Sequence, residues 1–389
     1  MRALLALSLL GLAIPAWADE PEPTPWSLDL TVHDVGLGIG GSRHIDGLRL
    51  NLRDTASFLV HGVNLTLWSP ADTSKGTVDG LAIGLPLTGA DTLNGIGIGL
   101  GLDVRDEFHG LAIAPLGAGA GNIFDGVMLT GLGAGVGNDL TGFGFAGLGL
   151  GAGQKLRGVF IAGLGAGCGD DFGGIGLAGL GFGVGGDATG ILISGLGTGI
   201  GGSLTGFSAG LIGTGAGGEL NGIMLGGIGL GAGDSIRGLA IGGLGIGAGQ
   251  NIDGLAVSLG GIGAGRKIRG VAIAGLGAGS GEGIDGIVLA ALAAGSPTIR
   301  GAVVALAAGG KDVTGAVIAP TYFHGAENGH LTGVSISAVN RIQGVQRGLA
   351  IGLVNYASEL HGVQIGLVNW ASNNPTGLKV LPVANAHFD

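Results

Sequence analysis

A glycine that returns every sixteen residues is the feature that most constrains this 389-residue chain. It occupies the fifth place of the pattern x-x-[IL]-x-G-[LIV]-x-[IL] and steps by sixteen from Gly110 to Gly286. Outside this block the steps vary from fourteen to eighteen, through Gly47 to Gly95 on one side and Gly301 to Gly377 on the other. A fixed period indicates one supersecondary unit that is copied and stacked, so the fold follows from how one unit packs on the next.

Each repeat predicts two short strands with a bend between them. In Ile236–Gly249, Leu239 and Ile241 alternate with Ala240, and this period of two is typical of a strand. The pair Gly242-Gly243 follows, and beyond it aliphatic residues alternate with glycine in the opposite parity. Because glycine tolerates positive φ and close backbone approach, the pair predicts a bend between the two strands.

A bend at the glycine pair would turn the aliphatic side chains of both strands to one side. The predicted interior of this unit consists of Ile236, Leu239, Ile241, Leu244, Ile246, Ala248 and Ile252. The predicted outer walls are nearly free of side chains, as at Ala240, Gly245 and Gly247. About six buried aliphatic residues per unit, at ~1.5 kcal/mol each, roughly cancel the entropy of ordering, so a single unit should not fold alone.

Stacking these units in parallel predicts an all-β chain, a parallel β-solenoid of about sixteen-residue coils with no helix longer than about two turns. Some twenty coils at ~4.8 Å each would form a rod about 100 Å long. In a parallel stack each residue lies about 5 Å from its equivalent in the next coil. Charge supports this arrangement, because the residue before the marker glycine alternates in sign through Arg237, Asp253, Arg269, Asp285 and Arg300.

An antiparallel transmembrane β-barrel is the alternative fold, because a strand of about ten residues and a tight turn also give a period near sixteen. The two ends of such a barrel differ, so its sequence should repeat every two units, whereas all units here are alike. Aromatic girdles and a polar lumen face are also missing from a chain with 4% aromatic residues. The near-terminal Phe388 favours the barrel, because it is typical of outer-membrane strands.

The N-terminus has the pattern of a secretory signal peptide. Arg2 provides a positive charge, Ala3–Pro15 is apolar, and Ala16-Trp17-Ala18 is a cleavage site of the small-x-small type. The predicted organisation is a signal peptide at 1–18, an N-terminal linker and cap at 19–46, the glycine-rich array at 47–330, and Asn-containing C-terminal repeats with a cap at 331–389.

Composition argues against several classes of protein. The net charge of −10 and the pI near 5.1 argue against nucleic-acid binding, which requires basic stripes. Ala188–Gly218 has no charged residue and is long enough for a membrane-spanning helix, but its many glycines and its unbroken period argue against one. The lone Cys168 has no partner for an internal disulfide and is predicted to be a small buried apolar residue.

The tail carries a second repeat motif. The sequence G-[LV]-x-I-G-L-V-N occurs at Gly348–Asn355 and Gly362–Asn369, Asn340 and Asn385 occupy similar places, and V-L-P-x-x-N-x-x-F ends the chain at Val380–Phe388. With the signal peptide, these motifs resemble a family of bacterial glycine-rich surface-repeat proteins, closely in the tail and by pattern alone in the array. The resemblance implies an envelope or cell-surface location and no established activity. The recurring Asn also predicts a hydrogen-bonded ladder between successive coils.

No catalytic, cofactor-binding or metal-binding residue stands out in the sequence. Glycine-rich stretches such as Gly245–Gly249 recur in nearly every unit and precede no helix, unlike a phosphate-binding loop. A calcium-binding β-roll needs a regular Asp, whereas the turn carboxylates recur irregularly, at Asp139, Asp170, Asp171 and Asp187. No H-x-x-x-H or H-E-x-x-H spacing occurs among the histidines, at positions 33, 44, 61, 109, 324, 330, 361 and 387. The least repetitive stretch, Pro320–His330, is the candidate binding loop.

The sequence therefore predicts a secreted or envelope-associated structural or interaction protein that is not an enzyme, uses no cofactor and binds no nucleic acid. Its partner would be an unidentified surface or envelope component, and outer-membrane association is a further expectation. The alternative is an outer-membrane β-barrel with a pore or transport role. A third class, a glycan-processing β-helix enzyme, would need carboxylates clustered on one wall, where this chain offers mainly Gly and Ala.

Overall fold

The structure, a computed structural model, describes residues 26–54, 58–68, 70 and 76–388. The predicted signal peptide, 1–18, lies outside these residues. The described chain consists of strands and turns wound into a parallel β-solenoid of about twenty coils, as the repeat predicts. Across these residues there is no helix with the length and apolar character that crossing a membrane requires.

Thirty-one strands form the coils of the described chain. The first are β1 Ser27–Val32, β2 Val35–Gly40, β3 His44–Asn51, β4 Phe58–Thr66 and β5 Gly76–Ala114. Short and long strands then alternate: β6 Gly117–Ala120, β7 Ile123–Thr130, β8 Gly133–Val136, β9 Asp139–Ala146, β10 Gly149–Ala152, β11 Leu156–Ala162, β12 Gly165–Cys168, β13 Phe172–Ala178, β14 Gly181–Val184, β15 Ala188–Ser194, β16 Gly197–Ile200, β17 Leu204–Gly210, β18 Gly213–Ala216, β19 Leu220–Gly226, β20 Gly229–Ala232, β21 Ile236–Gly242, β22 Gly245–Ala248, β23 Asn251–Ser258, β24 Gly261–Ala264, β25 Lys267–Ala274, β26 Gly277–Ser280 and β27 Gly283–Ala290. The last are β28 Ala293–Val304, β29 Ala307–Ile351, β30 Val354–Ala371 and β31 Val380–His387.

Each strand of the array pairs in parallel with the strand one coil away, so successive coils are direct neighbours. The long strand β11 lies between β9 and β13, and its Gly158 is in register with Gly142 and Gly174. The short strand β12 lies between β10 and β14 in the same way. Among the described strands, antiparallel pairing is confined to the two ends, β1 with β2 and β30 with β31. The antiparallel barrel is therefore not the fold.

The marker glycine fixes the backbone of the coil. Every marker glycine from Gly47 to Gly377 has a positive φ, between 101° and 154°, a conformation that other residues rarely adopt. A Cβ on Gly158, for example, would overlap the carbonyl oxygen of Gly142 in the preceding coil. Glycine alone satisfies both the backbone conformation and this close approach.

The interior differs from the sequence prediction in the first strand of each unit. In the second strand the prediction is confirmed, because Ile246 and Ala248 are buried. In the first strand Ala240 is buried, whereas Leu239 and Ile241 point outward and Ile241 is 41% exposed. The prediction of an aliphatic interior and a bare outer wall is therefore wrong for this strand.

The error arises because the chain does not change parity at the glycine pair. The positive φ lies at the marker Gly238, at 110°, and not at Gly242-Gly243. In the two strands of this coil the buried positions consequently stay an even number of residues from the marker, at 236, 240, 242, 246 and 248. Leu244 falls at the corner between the two strands and is 67% exposed instead of buried.

Side-chain size is balanced across the narrow core. The position two residues after the marker glycine packs against the position eight residues after it, as in the hydrogen bond of 2.9 Å between the hydroxyls of Ser208 and Thr214. A Cβ on Gly176 would overlap the ring of Phe182. Because interiors are close-packed, a large side chain on one wall is matched by a small one on the other in several coils, although Met224 faces Leu230 in the coil of Gly222. The pairs in three successive coils are Gly144 with Leu150, Phe160 with Ala166, and Gly176 with Phe182.

Replacing a marker glycine should destabilise the solenoid, whereas replacing an outward strand glycine should not. Gly254→Ala places a Cβ at a φ of 127° and against the carbonyl oxygen of Gly238, so we expect a loss of about 1–3 kcal/mol in the free energy of unfolding. Gly247→Ala is the control, because nothing lies within 4 Å of the place where its Cβ would be, and it should stay within about 0.5 kcal/mol of the parent chain. Urea unfolding measures both, and equal stability of the two variants would contradict this account.

The size balance predicts a coupling between Gly176 and Phe182. Gly176→Leu alone overpacks the core, at a cost of about 1–3 kcal/mol, and Phe182→Ala alone leaves a cavity that costs about 3–5 kcal/mol. In the double variant, the new leucine side chain occupies the space that the ring vacates. The double variant should therefore be more stable than the sum of the two losses predicts, by at least about 1 kcal/mol. Strictly additive losses in thermal unfolding would show that the two positions do not share one core.

Candidate functional site

The outward side of the long strands forms a continuous apolar surface, here named the apolar wall. It comprises the positions one, three and six residues after each marker glycine in the twelve coils from Gly110 to Gly286. The first position holds Leu111, Val127, Phe143, Val159, Ile175, Ile191, Phe207, Ile223, Leu239, Leu255, Val271 and Ile287. The second holds Ile113, Leu129, Phe145, Ile161, Leu177, Ile193, Ala209, Leu225, Ile241, Val257, Ile273 and Leu289. The third, at the corner, holds Leu116, Leu132, Leu148, Leu164, Leu180, Leu196, Ile212, Ile228, Leu244, Gly260, Leu276 and Leu292.

The apolar wall is larger than the apolar patches of most monomers. None of its positions is polar or charged, and all except Gly260 are half-buried or exposed. With a width of about five residues at ~3.3 Å and twelve coils at ~4.8 Å, it measures about 16.5 Å by 58 Å, or about 950 Å². The largest apolar patch on a typical monomeric protein covers about 300–600 Å², so this wall has the size of an interaction surface.

A depression, here named the notch, and a projecting leucine side chain lie side by side near the middle of the apolar wall. At Ala209 the row of large side chains is interrupted, and the depression that results has a volume of about 480 Å³. Ile193, Leu225 and Ile241 border it. Leu211, in the same coil as Ala209, is 72% exposed and projects beside the notch. The wall therefore carries both a projecting side chain and a cavity that admits one.

The apolar surface continues to the N-terminal end of the described chain. A groove of about 770 Å³ lies there, and Leu50, Leu52, Leu65 and Leu67 line it on the outward side of the first coils. Trp26, at the start of the first hairpin, also borders it and is 73% exposed. The groove is thus an extension of the same outward face.

The outward side of the short strands is made of glycine. Positions seven and nine residues after the marker are glycine in all twelve coils, except for Ala293. At Gly231 and Gly247 nothing lies within 4 Å of the place where a Cβ would be. The predicted flat outer wall is therefore confirmed on this side, where the backbone itself forms the surface.

Charged residues gather on a third side, the polar edge, formed by the turn before each marker glycine. An Nη1 atom of Arg269 lies 3.2 Å from Oδ1 of Asp253, and Nη1 of Arg300 lies 3.6 Å from Oδ1 of Asp285. The Nε atom of Arg237 approaches the other oxygen of Asp253 at 3.9 Å. The predicted pairing of opposite charges in adjacent coils is confirmed. Because the pairs are exposed, each contributes only ~0.2–1 kcal/mol and acts mainly on register.

Turn residues of the polar edge also bind the backbone of the next coil. The backbone N–H of Asp187 donates to Oδ1 of Asp171 at 3.2 Å, and the backbone N–H of Ser203 donates to Oδ1 of Asp187 at 2.7 Å. The backbone N–H of Glu219 then donates to the hydroxyl of Ser203 at 3.0 Å. These side chains satisfy turn N–H groups that the strand ladder leaves free, which explains the recurring turn carboxylates.

The asparagines of the tail form the predicted ladder inside the stack. The amide of Asn340 donates to Oδ1 of Asn355 at 2.7 Å, and the amide of Asn355 donates to Oδ1 of Asn369 at 2.7 Å. Asn385, on the antiparallel strand β31, instead donates to the backbone oxygen of Asn369 at 3.2 Å. All four side chains are buried. The ladder therefore stabilises the C-terminal coils and offers no surface to a ligand.

A buried ionic network in the first coils was not predicted from the sequence. The guanidinium of Arg49 pairs with the carboxylate of Asp54, and both side chains are almost fully buried. Arg49 also donates to Asn64 at 3.1 Å, while the amide of Asn51 and the hydroxyl of Thr66 donate to Asp54 at 2.6 Å and 2.9 Å. Four of these groups lie two or four residues after a marker glycine, where the later coils carry mainly Ala, Gly and other uncharged residues, so the charged pair and its polar partners distinguish the N-terminal end of the core from the array.

The candidate binding loop Pro320–His330 is not a loop. It lies within strand β29, with Phe323 buried and the rings of Tyr322 and His324 stacked 6.2 Å apart. The Nδ1 atom of His330 lies 3.2 Å from Oδ1 of Asp312, one coil away. The segment therefore continues the surface of the stack.

Cys168 is buried, as predicted from its place in the repeat. Burial, with smaller contributions from the nearby carboxylates of Asp171 and Asp170, raises the pKa of its thiol to about 11. The sulfur lies 3.4 Å from the backbone oxygen of Asp171. At neutral pH the thiol is protonated and therefore a poor nucleophile.

Two histidines and two aspartates meet on the polar edge of the first coils. Asp46 Oδ1 lies 2.7 Å from Nδ1 of His61 and 3.7 Å from Nε2 of His44. On the other side of the ring, Nε2 of His61 lies 3.2 Å from Oδ2 of Asp79. The donor atoms of His44, Asp46 and His61 all lie within 4.8 Å of one another. The sequence prediction of no metal-ligating residues overlooked this cluster, because His44 and His61 are separated by one coil and not by one turn of a helix.

Comparison with known proteins assigns no function to these surfaces. No protein-family model, no curated protein and no solved structure matches the chain. The functional interpretation therefore depends on the apolar wall, the polar edge and the histidine cluster.

Reversing one charge of the polar edge should destabilise the stack, and reversing its neighbours should restore it. Asp253→Arg places three arginines in adjacent coils, with Arg237 and Arg269 on either side, so we expect a lower melting temperature, equivalent to about 0.5–2 kcal/mol. Adding Arg237→Asp and Arg269→Asp restores the alternation and should recover most of the loss. A triple variant that melts no higher than the single variant would contradict the observed register.

Proposed function

We propose that this chain is an exported structural protein that works by association through its apolar wall and carries out no catalysis. The wall is the observation that carries the proposal. Three aliphatic or aromatic side chains face outward in eleven of the twelve coils and two in the coil of Gly254, while the charges of these coils are confined to the polar edge. Exposed apolar area of this extent is stabilised when another apolar surface covers it.

The proposed occupant of the wall is the wall of a second copy, packed face to face. One wall covers about 950 Å², so two facing walls bury about 1,900 Å², which falls within the ~1,200–2,000 Å² of stable protein–protein interfaces. Flat sheets pack in this way about 10 Å apart, with the side chains of the two faces interdigitated. The area available on one copy thus equals the area that a dimer requires.

Two further features favour a second copy over a lipid surface. The projecting Leu211 lies beside the notch at Ala209, so in a two-fold pair each Leu211 can fill the notch of the other copy. The net charge of −10 opposes binding to anionic membranes, and basic residues do not occur on the wall. Face-to-face packing also leaves the polar edges in water, so no charge is desolvated.

Export is the second part of the proposal. It is supported by the signal-peptide pattern of the N-terminal segment and by the resemblance of the tail to bacterial surface-repeat proteins. A single buried cysteine is compatible with an oxidising compartment, because folding requires no free reactive thiol. An envelope or cell-surface location would place the proposed assembly outside the cytoplasm.

Sedimentation of the tag-free mature chain tests the association. We expect a dimer that becomes a monomer in the variant Ile193→Glu/Ile241→Glu, because the two carboxylates would be buried unpaired in the interface and should raise the dimer Kd at least ~100-fold. Thr141→Glu/Thr189→Glu is the matched control, because it adds the same charges, also three coils apart, on the polar edge. This control should remain a dimer, and circular dichroism should show that both variants keep their strands.

Three outcomes would contradict the proposal. The parent chain could sediment as a monomer at micromolar concentration, or the wall variant could remain a dimer. Alternatively, a monomeric parent chain could bind neutral phosphatidylcholine vesicles through a wall that Ile193→Glu/Ile241→Glu inactivates, which would make the wall a lipid-binding surface. Recovery of the full-length chain in the cytoplasm, with its N-terminal segment uncleaved, would contradict export but not association.

A further inference from the structure

We propose that His44, Asp46 and His61 form a binding site for a transition-metal ion, with Zn²⁺ as the best fit. The three residues lie on the polar edge of the first two coils, on strands β3 and β4, away from the apolar wall. The inference is independent of the proposed association, because it involves none of the wall residues.

The solenoid register brings the three donors together. His44 and Asp46 are two residues apart on β3, so their side chains leave the strand on the same side. Asp46 is in register with His61 of β4, which places the imidazole of the next coil beside the carboxylate. The rings of His44 and His61 stand nearly perpendicular, at 85°, with centroids 5.8 Å apart. Two imidazoles and one carboxylate thereby converge from two adjacent coils.

The distances suit a tetrahedral ion after small side-chain rotations. Zinc lies ~2.0–2.2 Å from imidazole nitrogen and carboxylate oxygen, so two ligands of a tetrahedral site are about 3.4 Å apart. Here Asp46 Oδ1 lies 2.7 Å from one imidazole nitrogen and 3.7 Å from the other, values on either side of that separation. All three side chains are 40–47% exposed, so rotation is unhindered and a fourth position stays open to water.

Asp79 provides the second interaction that metal-bound imidazoles commonly have. Its Oδ2 lies 3.2 Å from Nε2 of His61 and can accept the N–H of that nitrogen. With the proton on Nε2, the lone pair of Nδ1 points toward Oδ1 of Asp46, 2.7 Å away, so these two atoms can bind one metal ion after the small rotations described above. Carboxylate–histidine–metal triads of this kind orient the ring and strengthen the ligand.

The nature of the donors selects the metal. Two imidazoles with one carboxylate favour Zn²⁺ and its neighbours in the transition series, whereas Ca²⁺ and Mg²⁺ favour oxygen donors. The binding of Zn²⁺ would link the first two coils of the stack next to the end hairpin, where it would oppose fraying. A metal that binds the folded chain alone also raises its apparent stability.

A single histidine further along the array provides an internal control for this site. His109 lies between two carboxylates in the same position of its coil, with Nε2 3.4 Å from Oε2 of Glu107 and Nδ1 3.4 Å from Oδ2 of Asp125. Among the described residues, no second imidazole joins His109 in a group of converging metal-ligating atoms. His109 therefore tests whether an imidazole between carboxylates is enough.

Calorimetric titration of the tag-free mature chain with Zn²⁺ alone tests the site. We expect one Zn²⁺ per chain, an affinity at least ~100-fold lower in His44→Ala and in Asp46→Asn, and an affinity ~10-fold lower in Asp79→Asn. His109→Ala should bind as the parent chain does, and Ca²⁺ should produce no heat. Zn²⁺ should raise the melting temperature of the parent chain and leave that of His44→Ala unchanged.

The proposal is overturned if the parent chain binds no Zn²⁺ at micromolar concentration. It is also overturned if His44→Ala retains the affinity, or if His109→Ala loses as much affinity as His44→Ala. Asp46→Asn preserves the shape of the side chain, and strand content measured by circular dichroism separates loss of a ligand from loss of the fold.

Discussion

The contact between successive marker glycines is the constraint on which the rest of the structure depends. At a φ near 130°, each marker glycine lies against the carbonyl oxygen of the one before it, as Gly174 does against Gly158. A side chain at this position would separate the coils, so the glycine must return once per coil. Because the glycine returns once per coil, each of the remaining residues lies next to its equivalent in the adjacent coil. The pairing of Arg269 with Asp253 and of Asn355 with Asn340 follows from this register.

The same register turns three kinds of position into three kinds of surface. Aliphatic residues form the apolar wall, glycines form a flat wall of backbone, and charged residues form the polar edge. The narrow core holds a few small or compensating side chains per coil, so it stabilises each coil only modestly. Covering a wall residue such as Ile241 would add ~1.5–3 kcal/mol per fully buried side chain, less the cost of association. Association through the wall would therefore provide apolar burial that the narrow core does not.

The repeat predicts the fold because period and register need no knowledge of side-chain direction. The parallel stack, the alternating charges and the asparagine ladder all follow from residues one period apart. The predicted side-chain direction is wrong, because a bend at Gly242-Gly243 was expected to bring Leu239 and Ile241 into the core, whereas the positive φ lies at Gly238. The informative signal is variation between coils: Phe160 with Ala166 and Gly176 with Phe182 balance in size, which indicates that these positions face each other in the core.

The histidine cluster was overlooked for a related reason. Metal-binding motifs are usually sought at the short spacings of a helix or a turn, whereas a solenoid brings together residues one coil apart. His44 and His61 are neighbours only because β3 and β4 are paired in register. The buried pair of Arg49 and Asp54 was not predicted either. Which side chains of the first coils point inward could not be known without the correct parity of the strands.

The outward direction of the apolar wall is the central claim, and cysteine accessibility tests it most directly. In a Cys168→Ala background that carries Ile193→Glu to prevent association, single cysteines are placed at Ile241, at Ala240 and at Gly247. Their rates of reaction with a maleimide are then compared in the folded chain. We predict rapid labelling at 241 and 247 and labelling at least ~100-fold slower at 240, which is 1% exposed. Rapid labelling at 240 with protection at 241 would reverse the parity of the first strand and remove the wall.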